Sequence, residues 1–164
     1  MTESNERTWT KRAALPMDED FVVSTFLISY NRSREGYARG GQGTKAEQDA
    51  FWTLHRPTIE LLLEDGHVEV ISDVEDPRII YAWAATTGDV VHACIVKRTY
   101  ERIDPEGARE MVVELLGDRL QRACGYTHEL VNLRLLGMLP REWFPAASFL
   151  AQRFGAQLAR KAAA

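Results

Sequence analysis

Residues 67–96 carry the feature that most limits how this chain can fold. His67-Val-Glu-Val-Ile-Ser72 alternates apolar and polar side chains, Arg78-Ile-Ile-Tyr-Ala-Trp-Ala84 is a second β-rich run, and Val90-Val-His-Ala-Cys-Ile-Val96 is almost continuously apolar. Glu75-Asp76-Pro77 and Thr87-Gly88-Asp89 separate them. Runs of this kind read as strands, and connections this short join only antiparallel neighbours. The passage therefore predicts a three-stranded meander, with the nearly all-apolar third strand in the interior of the sheet.

The flanks have helical periodicity. Asp18-Glu19-Asp20 places acids at a helix start, where the dipole favours them, ahead of Phe21, Val22, Val23, Phe26, Leu27 and Tyr30. This spacing predicts a helix over 19–31. Thr44 and Glu47 have the spacing of a capping box, and the apolar residues after Ala50 extend a second helix over 45–64, kinked at Pro57 and ended by Asp65-Gly66. After the meander, Asp104 suits the N-cap and Pro105 the first position of a third helix, with Gly125 as its stop. A fourth strand is expected over 129–135, a last helix from Trp143 to Arg160 and a tail from Lys161 to Ala164. Residues 1–17 read as a flexible or loosely docked leader, with Trp9 as the one reason to dock.

The expected order is helix, helix, three strands, helix, strand, helix. It implies an α+β domain with a mixed sheet over 18–160, a β-α-β crossover after the third strand and helices on both faces. A chain of 164 residues supplies one domain of ordinary size, and its 45% apolar content supplies a core without metal or disulfide staples. The net charge of -4 excludes a global basic footprint for nucleic acid. Cys94 and Cys124 have no metal-ligand spacing and read as reduced, unreactive thiols of a cytoplasmic protein. No stretch approaches the length of a membrane span, and the polar N-terminus lacks the apolar segment of a secretory signal.

This order resembles the GNAT (GCN5-related N-acetyltransferase) fold, in which two helices precede a meander and a turn after its last strand binds the diphosphate of acetyl-coenzyme A. The matching stretch is Val90 to Arg109. Its first part, with Val96-Lys97-Arg98 and Tyr100, and the opening helix from Phe21 to Tyr30 are similar to GNAT-like proteins of phage and prophage origin. The resemblance spans roughly 18–150. It implies acetyl-coenzyme A as cofactor, with the backbone at Val96 along the pantetheine arm. Lys97, Arg98, Arg102, Gly107, Ala108 and Arg109 would lie around the phosphates, and His92 or Glu69 would relay a proton to or from an acceptor amine.

The chain departs from that pattern at the phosphate turn itself. The family's Gln/Arg-x-x-Gly-x-Gly/Ala signature is reduced to Gly107. A helix start binds phosphate through free amides and its positive dipole end. Asp104 is placed to occupy those amides, Pro105 removes one, and Glu106 adds another negative charge. Each carboxylate beside a diphosphate costs on the order of 1 kcal/mol or more at an effective dielectric near 20. The sequence thus predicts a GNAT-like scaffold that has lost its cofactor and acts as an accessory binding protein. The alternative is an acyl-coenzyme A-dependent N-acyltransferase.

Other features are weaker. His92 alternates with Cys94 and Val96, so it faces either a cleft or, more plainly, a hydrogen-bonded core. Tyr126, His128 and Glu129 flank the expected fourth strand, and the last helix carries no tyrosine to serve as an acid. His67-Val-Glu69 lacks the Pro-Cys-x-x-Cys half of a zinc deaminase motif. The loop over 31–45 contains Arg32, Arg34, Tyr37, Arg39 and four glycines. It reads either as a solvated connection, as the border of an acceptor site, or as a contact for single-stranded nucleic acid. Trp143, Phe144, Phe149 and Phe154 are expected to pack the last helix, and if exposed would suit a protein partner or homodimer.

Overall fold

The computed structural model of the protein describes residues 7–32, 43–120, 125–127, 142–143, 154–157, 159–160 and 163. Among the described residues six strands form one sheet in the order β1 (Trp9–Ala13), β2 (Val68–Asp73), β3 (Ile80–Thr87), β4 (Val90–Val96), β5 (Gly125–Tyr126), β6 (Glu142–Trp143). The first four are antiparallel; β5 runs parallel to β4 and β6 parallel to β5. The expected meander, the mixed sheet and the α+β class are therefore all present, and β4 lies inside the sheet.

Helices α1 (Glu19–Asn31) and α2 (Lys45–Glu64) have the predicted bounds. At the start of α2, Thr44 N–H donates to Glu47 Oε2 at 2.6 Å and Glu47 N–H donates to Thr44 Oγ1 at 3.3 Å, which satisfies two amides that a helix start leaves open. Pro57 lies inside α2. Between β4 and β5 come α3 (Arg98–Ile103) and α4 (Pro105–Leu116).

The sheet separates two apolar layers. On one face Phe26, Tyr30, Phe51, Ile59 and Leu62 of α1 and α2 pack on Val70, Trp83, Ala93 and Ile95, joined by Phe154. On the other, Ala108, Met111, Val112, Leu115 and Leu116 of α4 pack on Ile71, Ala82, Ala84, Cys94 and Val96, with Trp9 at the margin. The face assignment follows from strand alternation and from the apolar stripe of each helix.

Three sequence expectations are corrected. The 1–17 leader contains a strand: Trp9–Ala13 pairs with β2 from Trp9↔Asp73 to Ala13↔Glu69. Trp9 is its one buried hydrophobic residue, so local patterning gives little signal for it. The third long helix stops at Leu116, not at Gly125, because Gly117 takes a left-handed φ of 51° there; Gly125 pairs with Glu142 in the sheet. Trp143 belongs to β6 rather than to the start of the last helix; the described helical residues near the C-terminus are 154–157, 159–160 and 163, the last of them within the stretch expected as a tail. The strand expected over 129–135, Cys124, Phe144 and Phe149 lie outside the described residues.

The β1 segment is held by a buried ion pair. Asp18 is 1% exposed, and its carboxylate takes both terminal nitrogens of Arg12, at 2.5 and 3.0 Å, and Leu15 N–H at 2.7 Å. Arg12 also donates to Ser72 Oγ and to the Pro77 carbonyl. Removing one member of such a pair leaves the other charge buried, at about 3–5 kcal/mol. Urea unfolding of Arg12→Met should show a loss of about that size. Adding Asp18→Asn should recover part of it, since the orphaned charge is then gone. Cys94 is fully buried, and burial pushes its thiol up to about 12. In a Cys124→Ser background the native protein should therefore resist a disulfide reagent until denaturant is added.

Candidate functional site

The chain leaves β4 through a contact with β3. Ile71 pairs with Ala82 but Ser72 pairs with Ile80, so Tyr81 is the extra residue of a β-bulge. The Tyr81 carbonyl accepts from Lys97 N–H at 2.7 Å, which fixes the first residue after β4. Tyr81 also donates its hydroxyl to Asp73 Oδ2 at 2.8 Å, and its ring lies 5.0 Å from that of Tyr100 on α3.

This bulge orients the start of α4. Tyr100 donates its hydroxyl to Asp104 Oδ2 at 3.3 Å, and Asp104 Oδ1 accepts Gly107 N–H at 2.9 Å. Pro105 follows Asp104 and brings no N–H. Ala108 N–H already bonds the Asp104 carbonyl. Of the first-turn amides, only that of Glu106 is left. A Cβ on Gly107 would fall 2.2 Å from Asp104 Oδ2 and 2.9 Å from the Tyr100 oxygen. The clearance that glycine provides is thus filled by the chain's own carboxylate and phenol. Burial, then the Asp104 carboxylate, push the Tyr100 hydroxyl above its ordinary range.

Around this cap Lys97, Arg98, Arg102 and Arg109 are exposed, and none has an acidic partner among the described residues; Val96, Gly107 and Ala108 are buried. Sequence reading missed α3, which buries none of its residues and so has no apolar stripe to betray it.

His92 and Glu69 are not brought together. Ala85 pairs with Ala93 and Thr86 with Val91, so His92 is the extra residue of a second bulge. It is 0% exposed, and its ring nitrogens meet Thr87 Oγ1 at 2.8 Å and Thr127 Oγ1 at 2.7 Å. The plainer of the two sequence readings describes this geometry: a core histidine tying the β3–β4 turn to the end of β5. Glu69 lies on β2 across from Ala84 and faces Lys11 Nζ at 3.8 Å.

A separate pocket of about 380 Å³ opens between the end of α1 and the start of α2. It is lined by Ile28, Asn31, Arg32, Gly43, Gln48 and Trp52. Arg32 was expected at such a site; Gln48 and Trp52 were not, although their four-residue spacing puts them on one helical stripe. Arg34, Tyr37 and Arg39 lie outside the described residues. Among the described residues no group of three His, Cys, Asp or Glu is arranged to hold a metal, and no helix is long and apolar enough to cross a membrane.

No family model and no curated protein matches the chain. Among solved structures it is similar to the apo form of YjaB from Escherichia coli, at 8% identity and a TM-score of 0.44 over 66% of each chain, a likeness too slight to carry an argument.

Two predictions follow from the cap and the bulge. Gly107→Ala raises intrinsic helix propensity by about 1 kcal/mol but expels the Asp104 cap, itself worth about 1 kcal/mol, and crowds Tyr100. The thermal midpoint should therefore fall or stay level, where an uncapped helix would gain stability. The Asp76 N–H, the Tyr81 hydroxyl and the Glu75 N–H hold the Asp73 carboxylate below its usual range. A depressed carboxylate stabilises the fold above its ordinary pKa, and that contribution is lost as pH falls through the lowered value. Asp73→Asn should flatten the acid limb of the stability profile below about pH 4, followed by urea midpoints.

Proposed function

We propose that the chain is a binding protein on a GNAT-like scaffold whose diphosphate seat is closed by its own side chains. The reading rests on one observation: Asp104 Oδ1 accepts the Gly107 N–H at 2.9 Å at the start of α4. An anionic cofactor at that position would have to displace a carboxylate that already satisfies the amide and would approach Glu106 as well. The missing N–H of Pro105 removes a further donor. Nor does His92, with both ring nitrogens engaged by threonine hydroxyls, have a nitrogen to offer an acceptor amine without breaking a buried hydrogen bond.

The element order supports the scaffold. β1 precedes two helices, an antiparallel meander follows, and β4 leads through helices to the parallel β5. On this reading the protein acts through what it binds and transfers no acyl group.

Thermal unfolding in the presence of acetyl-coenzyme A or coenzyme A tests it. A ligand at a hundredfold excess over its dissociation constant stabilises by about 2.7 kcal/mol. The expected result is that neither, at millimolar concentrations, shifts the midpoint further than AMP does, since AMP carries the adenylate of coenzyme A without its pantetheine arm. A saturable rise beyond that given by AMP would reinstate the acyltransferase reading.

A further inference from the structure

We infer that the pocket between α1 and α2 binds a base–phosphate unit, either a free nucleotide or one residue of a single strand. This deepens the binding-protein reading and rests on it for the premise that binding is the chain's role. The pocket borders α1 and α2, the helices packed on the sheet face opposite α4; coenzyme A carries an adenylate as well, so AMP is the reference that separates binding at this pocket from binding at the α4 cap.

Each helix brings a pair four residues apart: Ile28 on α1 with Arg32, the residue that caps its C-terminus, and Gln48 with Trp52 on α2. The volume, about 380 Å³, lies within the range of small-molecule sites. Trp52 is 36% exposed, although its neighbour Phe51 is in the core. An indole held at a pocket wall offers a planar apolar face, and every nucleobase has a face to stack on it.

Arg32 supplies the anion-binding half. The Arg7, Arg12, Arg56 and Arg78 guanidinium groups each meet a carboxylate. Arg32 is exposed, and no acid pairs with it among the described residues. A planar guanidinium matches phosphate through two parallel hydrogen bonds. Gln48 donates Nε2–H to the Gly43 carbonyl at 3.0 Å, which fixes the amide and leaves its Oε1 as an acceptor for an N–H on the base edge. Of the acids beside Gln48, Glu47 is engaged by the Thr44 N–H and hydroxyl.

One cation contacting one phosphate predicts weak binding with a shallow salt dependence, a log–log slope near -0.7 for a single strand. That magnitude fits a chain of net charge -4, in which the attraction is local.

The test is fluorescence anisotropy of a labelled twelve-nucleotide oligodeoxyadenylate with the full chain at low salt, with AMP as competitor. Wild type should bind, Trp52→Ala and Arg32→Ala should each weaken binding fivefold or more, and Trp52→Phe should retain it. Arg32→Ala and Trp52→Phe should keep the wild-type thermal midpoint, which separates loss of the contact from loss of the fold. Displacement by AMP identifies the free nucleotide as sufficient; binding of the oligomer without displacement by AMP assigns the site to a strand. Absence of binding by wild type at millimolar AMP and at micromolar oligomer, or binding unaltered in both alanine variants, overturns the proposal.

Discussion

The Arg12–Asp18 ion pair is the constraint on which the rest of the arrangement depends. It joins three segments that, Trp9 aside, have little apolar surface to bring them together: strand β1, the turn of 3-10 helix at Pro16–Asp18 and the connection from β2 to β3 through the Pro77 carbonyl. Taking two charges out of water costs several kcal/mol per ion, and here the cost is offset by a bidentate geometry and by three further acceptors for the guanidinium. Such a pair specifies geometry more than it stabilises. It sets β1 against the edge of β2 and directs the chain into α1, and α1 in turn supplies one wall of the pocket facing α2.

The two bulges transmit that order across the sheet. Tyr81, extruded from the β2–β3 register, uses its carbonyl on Lys97, its hydroxyl on Asp73 and its ring on Tyr100. Those three contacts determine where α3 begins and hence where Asp104 meets α4. His92, extruded from the β3–β4 register, is the only imidazole of the meander strands, and its two threonine contacts reach from Thr87 to Thr127. Both bulges lengthen one strand against its neighbour and re-aim a polar residue, and in both the polar residue ends hydrogen-bonded rather than facing solvent.

What the sequence made legible was local. The periodic stripes of α1 and α2, the Thr44–Glu47 box, the Asp104–Pro105 start and the three meander strands depend on neighbours within a few residues. Each lies where patterning puts it, except that β3 starts two residues later than Arg78 and runs on through Thr87, which was expected in the turn. The illegible parts are long-range. The β1 segment, Trp9-Thr-Lys-Arg-Ala13, has one buried hydrophobic residue and owes its place to Asp18 and to the ladder with β2. A bulge shifts the face of every residue beyond it, so the period-two argument that grouped His92 with Cys94 and Val96 fails by one position; Val91 instead joins their layer. At the candidate sites, the Asp104 cap was readable from residue type and position, whereas Trp52 was not. Nothing in its spacing distinguishes an indole on a pocket wall from one in the core.

Gly107 brings these levels together. A glycine near the start of a helix that follows a central strand provides room for a phosphate, because without a Cβ the backbone can be approached closely. That same room admits the Asp104 carboxylate and the Tyr100 hydroxyl, and a side chain tethered three residues away competes for it at an effective concentration no dissolved ligand reaches. Glycine alone therefore says that something lies close to the backbone, not what. The residues around it decide between an external anion and an internal one. Here a proline without a donor, a second acid at Glu106 and a phenol anchored by the Tyr81 bulge all favour the internal carboxylate.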